Sequence, residues 1–124
     1  MTSIDVESLL LRVYSLAGDA VAGTSLHEAI VKSARAAGLS GATVLTAKMG
    51  FGSHGHIFSD VLSDCEIDRQ PVVVEIVDQP DRITSFLPAL HDLVRGRRLM
   101  TLERAEVIHY APQQNTLQQS QVEL

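Results

Sequence analysis

The sequence predicts an α+β domain in which two strand–helix–strand units follow each other along the chain. Three observations lead to this prediction. The 124 residues suit one compact domain rather than two. Two segments carry apolar residues at helical spacing, and the segments flanking each of them are short and apolar. Apolar residues make up 45% of the chain and aromatic residues only 4%, so we expect a core of Leu, Ile, Val and Ala.

The first unit begins with a strand predicted over residues 9–17, where apolar side chains occupy both faces. A flexible link with the sequence GDAVAG follows it. Ser25 and Glu28 have the spacing of a capping box and predict the start of the first helix. Gly38 suits the left-handed backbone that ends a helix, and a second strand is predicted over residues 41–49.

The second unit follows a polar, acidic loop at residues 53–70. Residues 71–78, PVVVEIVD, predict a strand because they are β-branched and open with a proline, which is tolerated at a strand start. Pro80 is typical of the first turn of a helix. Pro88 predicts a bend within this second helix, and Gly96 predicts its end.

The last strand is predicted over residues 100–110, so the folded domain is expected to span residues 9–110. Residues 1–8 are interpreted as an N-terminal extension. Residues 111–124 are rich in Gln and poor in apolar residues, and we expect this tail to be disordered. The order of elements is that of a ferredoxin-like split β-α-β fold, with a four-stranded antiparallel sheet and two helices on one face.

The other face of that sheet has no predicted cover. In the third strand Val72, Val74 and Ile76 share one face, while Val73 and Val77 share the opposite one. An open apolar face of this size is unfavourable in a monomer. We therefore expect a homo-oligomer whose other subunits cover the face.

The composition disfavours several classes of function. A formal net charge of −5 without a long basic run argues against nucleic acid as a partner. The single cysteine, Cys65, cannot form an internal disulfide and fits a reducing compartment. The start of the sequence lacks a secretory pattern and no segment has the apolar length of a membrane helix, so a cytoplasmic location is expected. No catalytic arrangement stands out, and we do not expect an enzyme.

The stretch GFGSHGHIF, residues 50–58, raises three interpretations. Its first six residues spell G-x-G-x-x-G, which also occurs in dinucleotide-binding domains. Such a domain needs more strands than this chain supplies, so this interpretation is disfavoured. The second interpretation is a metal site at His54, His56 and Cys65. Their spacing matches no zinc signature, and solvated side chains in a mobile loop are favoured over it.

The third interpretation is an anion-binding turn. Glycines allow successive N–H groups to point into one concavity, and Ser53 adds a hydroxyl donor. Positive charge is available from Lys48 at the strand end and from Arg95, Arg97 and Arg98 after the second helix. A plain turn beside a solvated basic patch explains the same residues equally well, and both alternatives stay open on the residues alone.

Three longer segments resemble a known family. They are SLHEAIVKSARAAGLSGATVLTAKMGFGSHGHI, PVVVEIVDQPDRITSFLPAL and LMTLERAEVIHY. Together they are similar to the PII-like proteins of the family called domain of unknown function 190, over about residues 8–110. The resemblance implies a ferredoxin-like subunit in a PII-type homotrimer, which agrees with the uncovered sheet face.

PII proteins bind adenine nucleotides in clefts between subunits, and their long T-loop senses the nucleotide and engages a target protein. By this resemblance Gly50, Phe51 and Gly52 match the start of the T-loop, and residues 53–70 are the loop itself. ATP, ADP or AMP is then the implied effector, with no obligatory cofactor. The target protein is unknown, and a membrane transporter is one candidate. The implied nucleotide-binding residues are Lys48, Gly50, Phe51, Gly52, Ser53, His54, Arg95, Arg97 and Arg98.

The chain departs from the PII pattern in its second phosphate loop. PII proteins carry a glycine- and lysine-rich loop before the last strand, where this chain has VRGRRLMTLE with three arginines. Residues 53–70 also contain no Tyr that could be uridylylated. Two other functions are therefore kept beside the nucleotide sensor: a metal-responsive trimer using His54 and His56, and an interaction module without a small ligand.

Overall fold

The computed structural model describes residues 6–61 and 66–108, which form a four-stranded antiparallel sheet covered on one face by two helices. In chain order the elements are β1 (Val6–Leu16), β2 (Ala20–Val21), β3 (Thr24–Ser25), α1 (Leu26–Ala36), β4 (Thr43–Thr46), β5 (Met49–Gly50), β6 (Phe58–Ser59), a 3₁₀ turn (Ile67–Arg69), β7 (Pro71–Asp78), α2 (Pro80–Val94) and β8 (Met100–Val107). The order of strands in the sheet is β4-β7-β1-β8, and this confirms the predicted α+β, ferredoxin-like fold. No helix in the described part is long and apolar enough to cross a membrane.

The core lies between the sheet and the two helices, on the side we call the helix face. Alternate residues of the central strands point there, because successive side chains of a strand lie on opposite faces. They meet the apolar stripes of α1 and α2. The buried cluster is aliphatic apart from one phenylalanine, as the composition predicted. It consists of Leu11, Val13, Leu26, Ile30, Ala34, Val74, Ile76, Ile83, Phe86, Leu90 and Val94.

The opposite side of the sheet, which we call the open face, has no cover within the described residues. Leu10, Arg12 and Tyr14 of β1 alternate with the core residues and pair with Val77, Glu75 and Val73 of β7, and Leu45 of β4 lies beside Val73. The exposed fractions of Leu45, Val77 and Tyr14 are 49%, 38% and 37%. The face is thus apolar and partly wet in the single chain.

One arginine interrupts this apolar surface. The guanidinium of Arg12 lies 2.9 Å from a carboxylate oxygen of Glu75 and 2.9 Å from one of Glu103. The hydrogen bond that Arg12 donates to Glu75 outweighs the effect of burial and raises the pKa of Arg12 above its usual range. The open face therefore combines aliphatic side chains with a cluster of three charges on neighbouring strands.

The helices begin where the sequence predicted, although one expected interaction is absent. Ser25 is the N-cap of α1, but its side chain makes no capping hydrogen bond. Glu28 instead pairs with Lys32 at 2.8 Å, one turn further along the helix. Helix α2 continues through Pro88 as a single element and ends one residue earlier than predicted, because Arg95 adopts the left-handed conformation (φ 56°) before Gly96.

A buried carboxylate connects the start of α2 to the rest of the domain. Asp78 is only 2% exposed. It accepts hydrogen bonds from the backbone N–H of Gln79 at 2.8 Å and of Ser40 at 2.9 Å, and it lies 3.2 Å from the guanidinium of Arg82. These partners satisfy the carboxylate, so Asp78 fixes the entry of α2 against the segment between α1 and β4.

Several boundaries differ from the prediction. Strand β1 begins at Val6, three residues earlier than predicted, because Val6 pairs with Val107 of β8. The GDAVAG segment is a short β2–β3 hairpin rather than a flexible link, and Ala22 and Gly23 adopt positive φ at its turn. The strand predicted over residues 41–49 is shorter in the structure, where it is β4, Thr43–Thr46. The predicted tail at 111–124, the end of the last strand and Cys65 lie outside the described residues.

Candidate functional site

The glycine-rich stretch forms the tip of a hairpin. Strand β5 pairs with β6, so that Gly50 lies opposite Phe58. Within the tip, the N–H of Gly55 donates to the carbonyl oxygen of Gly52 at 2.9 Å, and Gly55 has a φ of 75° that favours glycine. Phe58 and Ser59 are buried and anchor the returning strand. A hairpin tip is not the start of a helix, so the geometry excludes the dinucleotide fingerprint.

Beside this tip lies a groove of about 410 Å³, which we call the turn groove. The glycine-rich turn forms one wall, and the segment between α2 and β8 forms the other. The end of β1 also lines the groove, and the N–H of Tyr14 donates to the carbonyl oxygen of Leu99, in the second wall, at 2.9 Å. The lining residues are Tyr14, Ser15, Leu16, Gly50, Phe51, Gly52, Ser53, His54, His56, Arg69, Pro71, Arg97, Arg98 and Leu99.

The turn groove unites most of the residues that the sequence singled out. Seven of the nine predicted nucleotide-binding residues line it, from two segments more than 40 positions apart. Lys48 and Arg95 are not among its lining residues. Lys48 is exposed, and its carbonyl oxygen accepts the N–H of Asp60 at 2.9 Å. Arg95 caps α2 and lines a different groove.

The two arginines that the segment between α2 and β8 contributes to the groove differ in their partners. Arg98 donates two hydrogen bonds to the carboxylate of Asp19, at 2.5 and 2.6 Å. The side chains of Arg98 and Asp19 are 26% and 19% exposed, so the pair is half-buried. Arg97 has no ion-pair partner within the part of the chain that the structure describes. Its guanidinium is therefore the cation that remains available in the groove.

Asp19 is ionised in this setting. Burial alone raises the pKa of its carboxyl, but the hydrogen bonds from Arg98 and from the N–H of Leu16, and the charge of Arg97, hold that pKa below its usual range. The Leu16 N–H donates to the Asp19 carboxylate at 2.9 Å. Asp19 is thus held by its own backbone neighbourhood as well as by Arg98.

The histidines of the metal interpretation both line the groove, without a complete ligand set. Nε2 of His56 lies 3.7 Å from a carboxylate oxygen of Glu66, which also pairs with Arg69 at 3.3 Å. Among residues 6–61 and 66–108, no group of three His, Cys, Asp or Glu side chains is arranged to hold a metal ion. Cys65, the third suggested ligand, lies outside that part of the chain.

The family of this chain follows from its similarity to known proteins. The sequence profile of the DUF190 family, described as an uncharacterised family, matches residues 8–107. The chain belongs to the DUF190 family. A UPF0166 protein of Aquifex aeolicus is 34% identical over 104 residues, covering 84% of this chain and 96% of that protein. A UPF0166 protein of Methanocaldococcus jannaschii is 28% identical over 102 residues, covering 82% and 93%.

Solved structures confirm the PII-like fold of this DUF190 protein. CPII, a nitrogen regulatory PII-like protein from Thiomonas intermedia solved with ADP, AMP and bicarbonate, matches with a TM-score of 0.61 at 13% identity, covering 83% of this chain and 90% of CPII. A Thermus thermophilus protein described as PII-like matches with a TM-score of 0.59 at 17% identity, covering 83% and 91%. Such low identities establish the fold alone.

Sequence reasoning missed three features of the DUF190 protein's site. Asp19 stood in a segment interpreted as a link, and nothing in the sequence connected it to Arg98, 79 positions away. Arg69 was treated as part of a loop, although it lines the turn groove. A second groove of about 420 Å³ was not foreseen. It lies between the β2–β3 hairpin and the end of α2, is lined by Arg95 among others, and shares Arg97 and Arg98 with the turn groove.

Proposed function

We propose that this DUF190 protein is a PII-like regulatory protein that binds the phosphates of an adenine nucleotide in the turn groove. One observation carries the proposal. The glycine-rich turn and the arginine segment, which the sequence predicted to act together, line the same groove in a chain with the PII-like fold. The groove volume of about 410 Å³ is within the range of small-molecule sites.

The chemistry of the two walls suits phosphate. Backbone N–H groups of a glycine-rich turn can approach an anion closely because no Cβ intervenes. In this chain residues 50–54 form that wall, and the Ser53 hydroxyl would be a further donor. Arg97 faces it and supplies a charge-assisted hydrogen bond, for which the planar guanidinium is well suited. The ADP and AMP in the CPII structure support an adenine nucleotide as the ligand.

The open face supports assembly into a homotrimer. Three aliphatic or aromatic side chains on it are more than a third exposed in the single chain, and the covered helix face leaves this surface for other subunits. In a PII-type trimer the nucleotide lies between subunits. Binding would change the conformation of the loop at residues 53–70 and so change the target protein that is engaged. The proposed role is that of a cytoplasmic binding protein without catalytic activity.

Gly52→Val tests the phosphate role of the turn. A Cβ at Gly52 would meet no heavy atom within 4 Å, and its φ is not positive, so the fold should tolerate the change. We expect binding of ATP, ADP or AMP, measured by titration calorimetry, to weaken at least tenfold, because the valine methyls obstruct the approach of phosphate to the turn.

Gly41→Val is a matched control, since its Cβ also meets nothing within 4 Å and Gly41 is remote from the groove. Both variants should keep the elution volume of the parent. Equal nucleotide affinity of Gly52→Val and Gly41→Val would refute the role of the turn. Binding of Zn²⁺ alone, lost in a His54→Ala, His56→Ala double variant, would favour the metal-responsive trimer. Silence toward nucleotides and Zn²⁺ would favour the interaction module.

A further inference from the structure

A carboxylate is already paired with one of the two arginines that the segment between α2 and β8 contributes to the turn groove. Arg98 lines both grooves, and both of its hydrogen bonds to another side chain go to Asp19. An incoming phosphate and Asp19 therefore present the same kind of acceptor to the same guanidinium. Arg97, the next residue but one after the helix cap, has no such partner among the described residues.

We propose that Asp19 is a specificity-determining residue that competes with ligand phosphate for Arg98 and so limits the phosphate charge that the turn groove accepts. The proposal deepens the proposed function and rests on phosphate binding in that groove. With Asp19 ionised, the cluster of Asp19, Arg97 and Arg98 carries a single net positive charge. This matches a short phosphate chain better than a triphosphate, whose additional charges face the Asp19 carboxylate.

The position of Asp19 does not depend on Arg98. Its carboxylate accepts the N–H of Leu16, and its carbonyl oxygen accepts the N–H of Leu26 at 2.8 Å, at the first residue of α1. Asp19 lines the second groove rather than the turn groove, and its carboxylate stays there, beside the shared Arg98, when Arg98 turns toward a ligand. It remains as an uncompensated negative charge, which opposes the binding of ligands that need Arg98.

Arg69, the third arginine of the turn groove, does not change the net charge that a ligand meets there. Arg69 pairs with Glu66 at 3.3 Å, and that carboxylate also lies near His56. Because Arg69 and Glu66 neutralise each other, Arg97 is the cation that an incoming ligand meets in the turn groove. The preference between mono-, di- and triphosphates then depends on whether Arg98 is released from Asp19.

Asp19→Asn tests the proposal, because the amide oxygen can still accept the Leu16 N–H while the charge is removed. AMP, ADP and ATP are titrated calorimetrically into the full-length protein at low ionic strength without divalent cations. We expect ATP affinity to rise on the order of tenfold and AMP affinity by less than about threefold, since the effect grows with ligand charge. Glu106→Gln, an exposed carboxylate at the far end of β8, removes the same charge away from both grooves and should change neither affinity.

A second pair of variants, Arg97→Gln and Arg98→Gln, tests the proposal even if Asp19→Asn does not fold. Arg97→Gln should weaken ADP binding severely, whereas Arg98→Gln should weaken it by less, because Arg98 binds Asp19 rather than the ligand, although its loss also leaves the Asp19 carboxylate unpaired. In the Asp19→Asn background, Arg98→Gln should remove the gained ATP affinity. A purely structural role of Asp19 would shift the affinities of all three nucleotides alike.

The outcomes separate the two proposals. If the parent protein binds none of the three nucleotides, the phosphate site itself is wrong and the role of Asp19 falls with it. If the parent protein binds them but Asp19→Asn leaves the ratio of AMP to ATP affinity unchanged, only the selectivity role is overturned. Equal losses in Arg97→Gln and Arg98→Gln would overturn it as well.

Discussion

The two faces of the sheet are built from the same strands but have different chemistry. On the helix face, the centres of β1 and β7 contribute aliphatic side chains that are at most 1% exposed, such as Leu11, Val74 and Ile76. On the open face, the residues between them include Arg12 and Glu75, and the apolar ones are partly wet. Alternation along two strands thus separates a dry aliphatic surface from a mixed one.

This difference indicates what each face does. A dry aliphatic surface packs against helices of the same chain and determines whether the chain folds. A mixed surface, in which apolar side chains surround a few charges that can fix the register of a partner, is compatible with a specific protein–protein interface. We infer that the helix face governs the stability of the subunit and the open face governs its assembly.

The largest expected effect tests the helix face. Phe86→Ala removes a fully buried ring from α2 and leaves a cavity, which should lower the free energy of unfolding by about 3–5 kcal/mol. Urea unfolding followed by circular dichroism measures it. Phe51→Ala is the matched control, because Phe51 is 71% exposed at the glycine-rich turn and its loss should change stability by less than about 0.5 kcal/mol. Equal losses in the two variants would contradict the assignment of the core.

A second substitution tests the open face. Val77→Asp places a carboxylate among the apolar residues of β7 opposite Leu10. We expect it to prevent assembly, because the charge would be buried without a partner between subunits. Light scattering coupled to size exclusion would then report a monomer with a circular dichroism spectrum like that of the parent.

Val61→Asp makes the same change at a residue that is 82% exposed and lies away from the sheet, and its assembly should match the parent. A Val77→Asp variant that assembles normally would show that the open face is not the interface between subunits. A variant that loses its secondary structure would instead place Val77 in the folding core.

The fold was predictable because its determinants are local patterns. Alternation in residues 71–78, Pro80 at the start of α2 and Gly38 after α1 each report on backbone or burial within a few positions. The errors occurred where pairing partners are distant. Strand β1 extends to Val6 because of β8, and the β2–β3 hairpin has too few apolar residues to show a period.

Only the conspicuous glycines and arginines of the candidate site could be predicted from the sequence. Glycines in residues 50–55 and the arginines near Gly96 are conspicuous in the sequence, and the structure brings Arg97 and Arg98 to the turn. The neutralisation of Arg98 by Asp19 could not be foreseen, since a side-chain pair across 79 positions leaves no local signal. The composition gives the number of arginines, whereas the structure shows which of them have a carboxylate partner among the described residues.

The smallest expected effect is a change in the stability of the protein with pH. The pKa of Asp19 is lowered in the half-buried pair that it forms with Arg98, so we expect this pair to respond to acid. The pKa of Asp19 is lowered by folding, so its stabilising contribution is complete above the unfolded value near pH 4 and is lost as the pH falls through the folded value. Asp19→Asn should therefore lower the free energy of unfolding at pH 7 by less than about 1 kcal/mol, and this difference should become smaller as the pH falls below about 4. Thermal unfolding of both proteins at equal concentration over a series of pH values measures this difference, and a difference that stays constant with pH would assign the stabilisation by Asp19 to its hydrogen bonds rather than to its charge.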